Sequence, residues 1–274
     1  MAPLRSVPRV SDSFLPLLAL GVACGVTTVL FGFGGGFVIV PAVVVLGAGE
    51  DDPMHVAVAT SAAVMLVNAS VAALTQWRRG RLRRAYLWPL AAFVALGAAA
   101  GSLIANALDG AVLHGLFLGY LLMTILDSLL RAGFLVRPED ASPRPLSRGA
   151  ATLGGTGIGA VAAGLGVGGS VLTVPLLRRR GLPMVEATAM ANPLSVPVAA
   201  VATTVYALAP TAAVAAGGRL GHVDLPAAAA LLAGSLPTIA VVGRFAGRVP
   251  DRVHAAAHVG LLVLVLAVTA AVGP

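Results

Sequence analysis

Apolar stretches close to twenty residues long recur along the whole chain, separated by short polar or arginine-bearing turns. The pattern predicts hydrophobic spans at about 14–47, 53–76, 86–107, 111–135, 149–177, 183–208, 223–243 and 252–272. The first is too long for one crossing. Its 34 residues would reach ~51 Å as a single helix, against a hydrocarbon core of ~30 Å. A break is therefore expected inside it, and likewise inside 149–177.

The same motif marks both breaks. The first reads Gly32-Phe-Gly34-Gly35-Gly36-Phe-Val-Ile-Val40-Pro41, and the second Gly166-Val-Gly168-Gly169-Ser170-Val-Leu-Thr-Val174-Pro175. Each glycine costs about 1 kcal/mol in a helix interior, so the helix is expected to stop there. New half-helices are expected from about Gly36 and Ser170, with Pro41 and Pro175 kinking them or ending their regular packing. The repeat continues beyond the glycines as Pro53-Met-x-x-Ala57-x-Ala59 and Pro183-Met-x-x-Ala187-x-Ala189. This divides the chain into a first repeat (1–135), a linker (136–148) and a second repeat (149–274).

Composition changes the picture in one respect. Hydrophobic residues make up 58% of the chain, charged residues 11%, and mean hydropathy is +0.94. These values exclude an ordinary soluble domain and indicate an all-α polytopic membrane protein whose first partner is the lipid bilayer. The net charge of +7 comes from 18 arginines and no lysine. Their placement in short loops orients the chain in the membrane and argues against nucleic acid.

The arginines also select a topology. If every segment crosses, 12 of the 18 lie inside; if each glycine-broken segment is a re-entrant hairpin, 15 do. The positive-inside rule favours hairpins. Each half then has one hairpin and three crossings, an odd number, so the halves are inverted repeats. A parallel repeat of four crossings is the alternative.

Broken helices inside a membrane expose backbone groups that only protein or a water-filled cavity can satisfy. The new half-helices point free N–H groups and positive dipole ends inward, which makes a binding place for an anion without a buried cation. The candidate substrate-binding residues are Gly34, Gly35 and Gly36 with Gly168, Gly169 and Ser170. Thr60, Ser61, Asn192 and Ser195 on the following helices add side-chain groups. The plainer reading is close helix packing by small residues, with interhelical hydrogen bonds of ~0.6 kcal/mol each.

Other polar residues read as structural. Asp127 and Arg131 lie four apart and suit a local ion pair. Glu186, one turn into its span, suits a helix cap, with proton coupling as the functional alternative. His254 and His258 are spaced for a metal but lack a carboxylate or Cys partner, and read as interfacial. Cys24 stands alone, so no disulfide or cysteine cluster forms, and the arginines before it only superficially resemble a leader. Gly164-x-Gly166-x-x-Gly169 matches a dinucleotide fingerprint outside any βαβ unit. No cofactor, metal site or catalytic constellation is expected.

With these residues in view, Gly32–Pro41 followed by Ala57-Val-Ala59-Thr60-Ser61, and the second copy at Gly166–Pro175, resemble the sulfite exporter TauE/SafE family, also grouped with toluenesulfonate uptake permeases. The resemblance covers about residues 14–272. It implies a bacterial inner-membrane, multi-pass permease for small sulfur-containing or organic anions such as sulfite, sulfonates or sulfoacetate. It departs at Met190-Ala191-Asn192-Pro193, where the family pattern would carry a Thr-Ser pair. The function expected is export by alternating access, with a membrane scaffold as the second reading and a membrane enzyme of sulfur metabolism as the third. A homo-oligomer is left open.

Overall fold

The computed structural model describes residues 14–47, 52–130, 143–210, 218–245 and 249–272. Most of the predicted linker lies outside these residues, as do Arg5, Arg9, Glu50, Asp51, Arg131, Arg137 and Arg248. In the first half the helices are α1 (Phe14–Phe31), α2 (Gly36–Leu46), α3 (Pro53–Arg78), α4 (Arg84–Leu87), α5 (Leu90–Asn106) and α6 (Gly110–Leu130). The second half has a π-helical turn (Ala150–Gly154), α7 (Gly155–Gly164), α8 (Ser170–Arg179), α9 (Met184–Leu208), α10 (Leu225–Val242) and α11 (Asp251–Val272). Among the described residues, seven helices are long and apolar enough to cross a membrane, and α2 and the Ala150–Gly164 segment are shorter apolar helices. The chain is an all-α polytopic membrane protein.

Both breaks fall where glycine spacing places them. α1 stops before Gly32 and α2 begins at Gly36; α7 stops at Gly164 and α8 begins at Ser170. Neither proline of the two motifs ends its half-helix. Pro41 and Pro175 sit inside α2 and α8, which continue to Leu46 and Arg179. A proline removes one N–H and one turn's bond, and the helices run on past it. Instead, the span predicted at 86–107 is interrupted at Trp88–Pro89, between α4 and α5. One small departure from all-helical structure is an antiparallel pair of two-residue strands, β1 (Arg219–Leu220) and β2 (Val223–Asp224), leading into α10.

Neighbours fix the helix directions. Gly21 of α1 faces Leu231 and Gly234 of α10, and Gly25 faces Ser235 and Thr238, so the two helices run the same way. α3 runs with them: Thr60 is bonded to Asp224 at the start of α10 and Asn68 to Ser235 further on. Since α1 and α3 point the same way, the chain has to double back through α2 between them. The α1–α2 segment is a hairpin that enters and leaves on the face bearing Asp52.

The second hairpin is built the same way from the other face. α7 lies parallel to α5, with Gly97 against Thr156 and Gly101 against Ala160. α5 runs opposite to α3, bringing the Ala105 carbonyl beside His55. α8 then returns, and Arg178 at its end pairs with Asp251 at the start of α11. The pairing of α1 with α10 and of α7 with α5 repeats one arrangement in inverted form. Small residues spaced by four (Gly21/Gly25, Gly97/Gly101, Gly155/Gly159) allow these helix backbones to approach closely.

Every described arginine except Arg219 sits at the end opposite Asp52. Cross-connections gather them there: Arg79 donates to the Gly243 carbonyl at 2.6 Å, Arg83 pairs with Glu186 at 2.9 Å, and the Arg144 amide donates to the Arg180 carbonyl at 2.8 Å. We call this end the arginine face. Asp127 pairs with Arg179 on α8, and the pair expected with Arg131 falls outside the described residues. Glu186 does not cap α9, whose start is at Pro183 without a side-chain cap; it is engaged by Arg83. These two long-range partners lie over 50 residues away in sequence, beyond what helical spacing can reveal.

Candidate functional site

The two hairpin tips meet. A Cβ placed on Gly36 would lie 2.6 Å from the Gly166 carbonyl oxygen, and one on Gly168 would lie 2.6 Å from the Phe33 carbonyl oxygen. No side chain larger than hydrogen fits at either contact. Gly35 has φ +93° and Gly166 has φ +65°, conformations that favour glycine. The tip residues 31–36 and 164–170 carry no charged side chain.

Each tip also packs into the helix that follows the opposite motif, in matching fashion. Gly166 lies against Val58 and Ser61 of α3, and Gly32 lies against Thr188 and Ala191 of α9. These contacts are roughly 6–12 Å along α3 and α9 from their first residues, at ~1.5 Å per residue. The tips therefore pass one another and overlap, instead of merely converging end to end at one level.

The named polar residues divide into two groups. Ser61 is fully buried and donates to the carbonyls of Val58 and Gly166, both at 2.8 Å, so it pins the second tip. Ser170, the first residue of α8, is fully buried and its Oγ has no hydrogen-bond partner among the described residues. Asn192 donates from Nδ2 to the Thr28 carbonyl at 3.2 Å, beside the first tip, and its Oδ1 is left without a partner among those residues. These three belong to the tip contact. Thr60 does not: its hydroxyl accepts from the Asp224 amide at 3.0 Å, toward the strand pair. The Ser195 hydroxyl donates to the Ala191 carbonyl of its own helix at 3.0 Å.

The glycines divide similarly. Gly34 and Gly35 have positive φ and crowd Met65, Cys24 and Asn68. Gly36 opens α2 and Gly168 faces Phe33. Gly169, at φ −55°, has only ordinary contacts around an added Cβ, and its carbonyl accepts from the Thr173 hydroxyl at 2.6 Å.

Asn68 of α3, a polar residue on the helix after the first motif but outside the candidate set, lies beside the first tip. It is fully buried, accepts from Ser235 at 2.8 Å, and keeps its Nδ2 without a hydrogen-bond partner among the described residues. That Nδ2 lies 3.2 Å from where a Gly35 Cβ would stand. Its signal was present: an amide side chain in the middle of an otherwise apolar span. Cys24 also sits here, donating its thiol weakly to the Gly35 carbonyl at 3.6 Å, within α1.

His254 and His258 are buried rather than interfacial. The His254 ring engages the Leu30 carbonyl, and His258 packs on Phe31 and Phe33 with ring centroids 5.7 and 5.0 Å away. With Phe37, stacked 5.0 Å from Phe33, they form an aromatic wall behind the first tip. No group of three or more metal-ligating side chains occurs among the described residues.

Two further features lie toward the faces. On the arginine face a cavity of about 500 Å³ is lined by Gly80, Arg81, Arg83, Pro183, Glu186 and Ala189, among others. On the opposite face Asp52 caps α3, accepting from the His55 amide at 3.3 Å and from its Nδ1 at 2.8 Å. Partial burial of Asp52 works to raise its carboxyl, but the His55 contacts outweigh it and hold the carboxyl below its ordinary value. Nearby, burial first and the His55 charge second keep His222 below the usual imidazole range.

A family model described as sulfite exporter TauE/SafE matches residues 17–269. No curated protein and no solved structure matches the chain.

Proposed function

The chain belongs to the sulfite exporter TauE/SafE family, and from that premise we propose that it is a permease exporting small sulfur-containing anions of the sulfite, sulfonate or sulfoacetate class. One observation carries the reading: two uncharged glycine tips, entering from opposite faces, meet where Asn68 Nδ2 and Ser170 Oγ are buried donors without hydrogen-bond partners among the described residues. The first amides of α2 and α8 add donors and positive dipole ends at the same place. Such a site holds an anion by hydrogen bonds without a cation that would bind it too tightly to release. Gly34, Gly35, Gly36, Ser61, Gly168, Ser170, Asn68 and Asn192 shape it, while Thr60, Gly169 and Ser195 support its walls.

The cavity beside Arg81 and Arg83 supplies an approach from the arginine face, where positive charge raises the local anion concentration. The positive-inside rule puts that face in the cytoplasm of a bacterial inner membrane. An inside-negative potential then drives a monoanion outward by ~2.3 kcal/mol per 100 mV, so export needs no coupled ion. The two repeats alternate access by moving one hairpin and its partner helices against the other. Proteoliposomes with an imposed potential, tested with sulfite, sulfate, thiosulfate and short sulfonates, check this. Outward-driven flux of sulfite or a sulfonate is expected; folded protein that moves none of them overturns the reading.

A further inference from the structure

His55 occupies a setting that fits only one protonation state. It is buried, third residue of α3, with Nδ1 2.8 Å from the Asp52 carboxylate and Nε2 3.0 Å from the Ala105 carbonyl oxygen. Both partners accept. A carbonyl has no hydrogen to give, and the Asp52 carboxylate also accepts from the His55 amide, as an ionised group does. A neutral imidazole has one N–H and cannot satisfy both. The geometry is that of an imidazolium.

Its surroundings are titratable and reach it from every packed element. Asp52 precedes α3, and Asp109 lies at the turn between α5 and α6. His222 stands in the β1–β2 turn with its ring centroid 5.3 Å from that of His55, and Arg219 lies behind it. The His222 Nδ1 is buried without a hydrogen-bond partner among the described residues.

The Ala105 carbonyl is next to the second hairpin. An added Cβ on Gly164, the last residue of α7, would lie 3.5 Å from the Ala105 Cβ and 3.1 Å from the Gly101 carbonyl oxygen. Two turns along α3 from His55, Ser61 holds Gly166. Thus α3 grips the second tip directly through Ser61 and indirectly through His55 and the end of α5.

We propose that His55, with Asp52 and the Ala105 carbonyl, is a proton-binding site that latches the second glycine tip when protonated. Loss of the proton leaves N–H on Nδ1, held by the stronger acceptor Asp52. The Nε2 lone pair then faces the carbonyl lone pairs at 3.0 Å, and the contact opens. The end of α5 is freed and the tip beside Gly164 loosens. Acid on the Asp52 face therefore closes the second hairpin, and alkali releases it. The proposal rests on the permease reading only for its consequence, that this hairpin moves during transport.

The test is a cysteine at the tip. In full-length Cys24→Ala protein, Val167→Cys is labelled with a small neutral methanethiosulfonate between pH 5.5 and 8.5. The rate is divided by that of the same protein carrying His55→Gln, which cancels ionisation of the thiol itself. The ratio is expected to be at least fivefold below one at pH 5.5 and to approach one by pH 8. A ratio independent of pH overturns the latch. Asp52→Asn, which keeps the ring but removes its counter-charge, should move the midpoint down by one pH unit or more; an unmoved midpoint also overturns it. Anion flux is measured in the same liposomes. A persistent pH step with no flux of any tested anion removes the permease reading and leaves the proton site standing.

Discussion

The Ser61 hydroxyl of α3 donates to the carbonyl of Gly166, 105 residues further along the chain, at 2.8 Å. It joins the helix after the first break to the tip of the second. Ser61→Ala leaves a buried carbonyl short of a donor, which costs about 1–3 kcal/mol. The expected result is a fall of several degrees in thermal midpoint. Flux should fall more than stability, because the freed tip shapes the anion site; an unchanged flux would show that Ser61 is scaffold only.

The two glycine motifs look interchangeable in sequence, and their backbones are not. Gly35 has φ +93°, where any Cβ is strained, whereas Gly169 has φ −55° with room around an added methyl. Gly35→Ala is expected to cost about 1–2 kcal/mol in backbone strain and to abolish flux while the protein still inserts. Gly169→Ala should leave both thermal midpoint and flux near the original values. Equal effects at the two positions would contradict this asymmetry.

What was legible in the sequence follows the physics of single elements. Span ends within the described residues matched because apolar length and turn chemistry are local, and both breaks matched because consecutive glycines oppose helix on their own. The relation of the two halves was legible through arginine placement, which reports the side of each loop. Partners were not. Glu186 finds Arg83 and His254 finds Leu30, both through tertiary contacts. His254 and His258 lie near the start of α11, where sequence suggests an interface; packing against Phe31 and Phe33 buries them. Asn68 was visible as a polar residue, but its place beside Gly35 depends on how α2 folds back.

Arg178 is buried with its guanidinium on Asp251, donating from one nitrogen to Oδ1 at 2.9 Å. Asp251 also accepts from the Met184 amide at 2.8 Å, at the start of α9. Removing the carboxylate takes this ion-pair partner from a buried cation and frees that helix start together. Asp251→Ala should destabilise by about 3–5 kcal/mol. Adding Arg178→Met should recover part of the loss, since the buried charge is then gone as well. Thermal midpoints of both single variants and the double measure this, and an additive double variant would deny the coupling.

The inverted hairpins make a sidedness prediction that a simple eight-crossing chain does not share. In the observed fold the loop after α3 and the turn after α8 lie on one face, with Arg81 and Arg180, while Gly221 in the β1–β2 turn lies on the other. If every segment crossed, the turn after α8 would be on the opposite side from the loop after α3. Single cysteines replacing Arg81, Arg180 and Gln76 in Cys24→Ala protein should resist an impermeant thiol reagent in intact cells and react after permeabilisation. A cysteine replacing Arg219 should react without it. Arg180→Cys labelling from outside would break the hairpin topology, and with it the meeting of the two glycine tips on which the anion site depends.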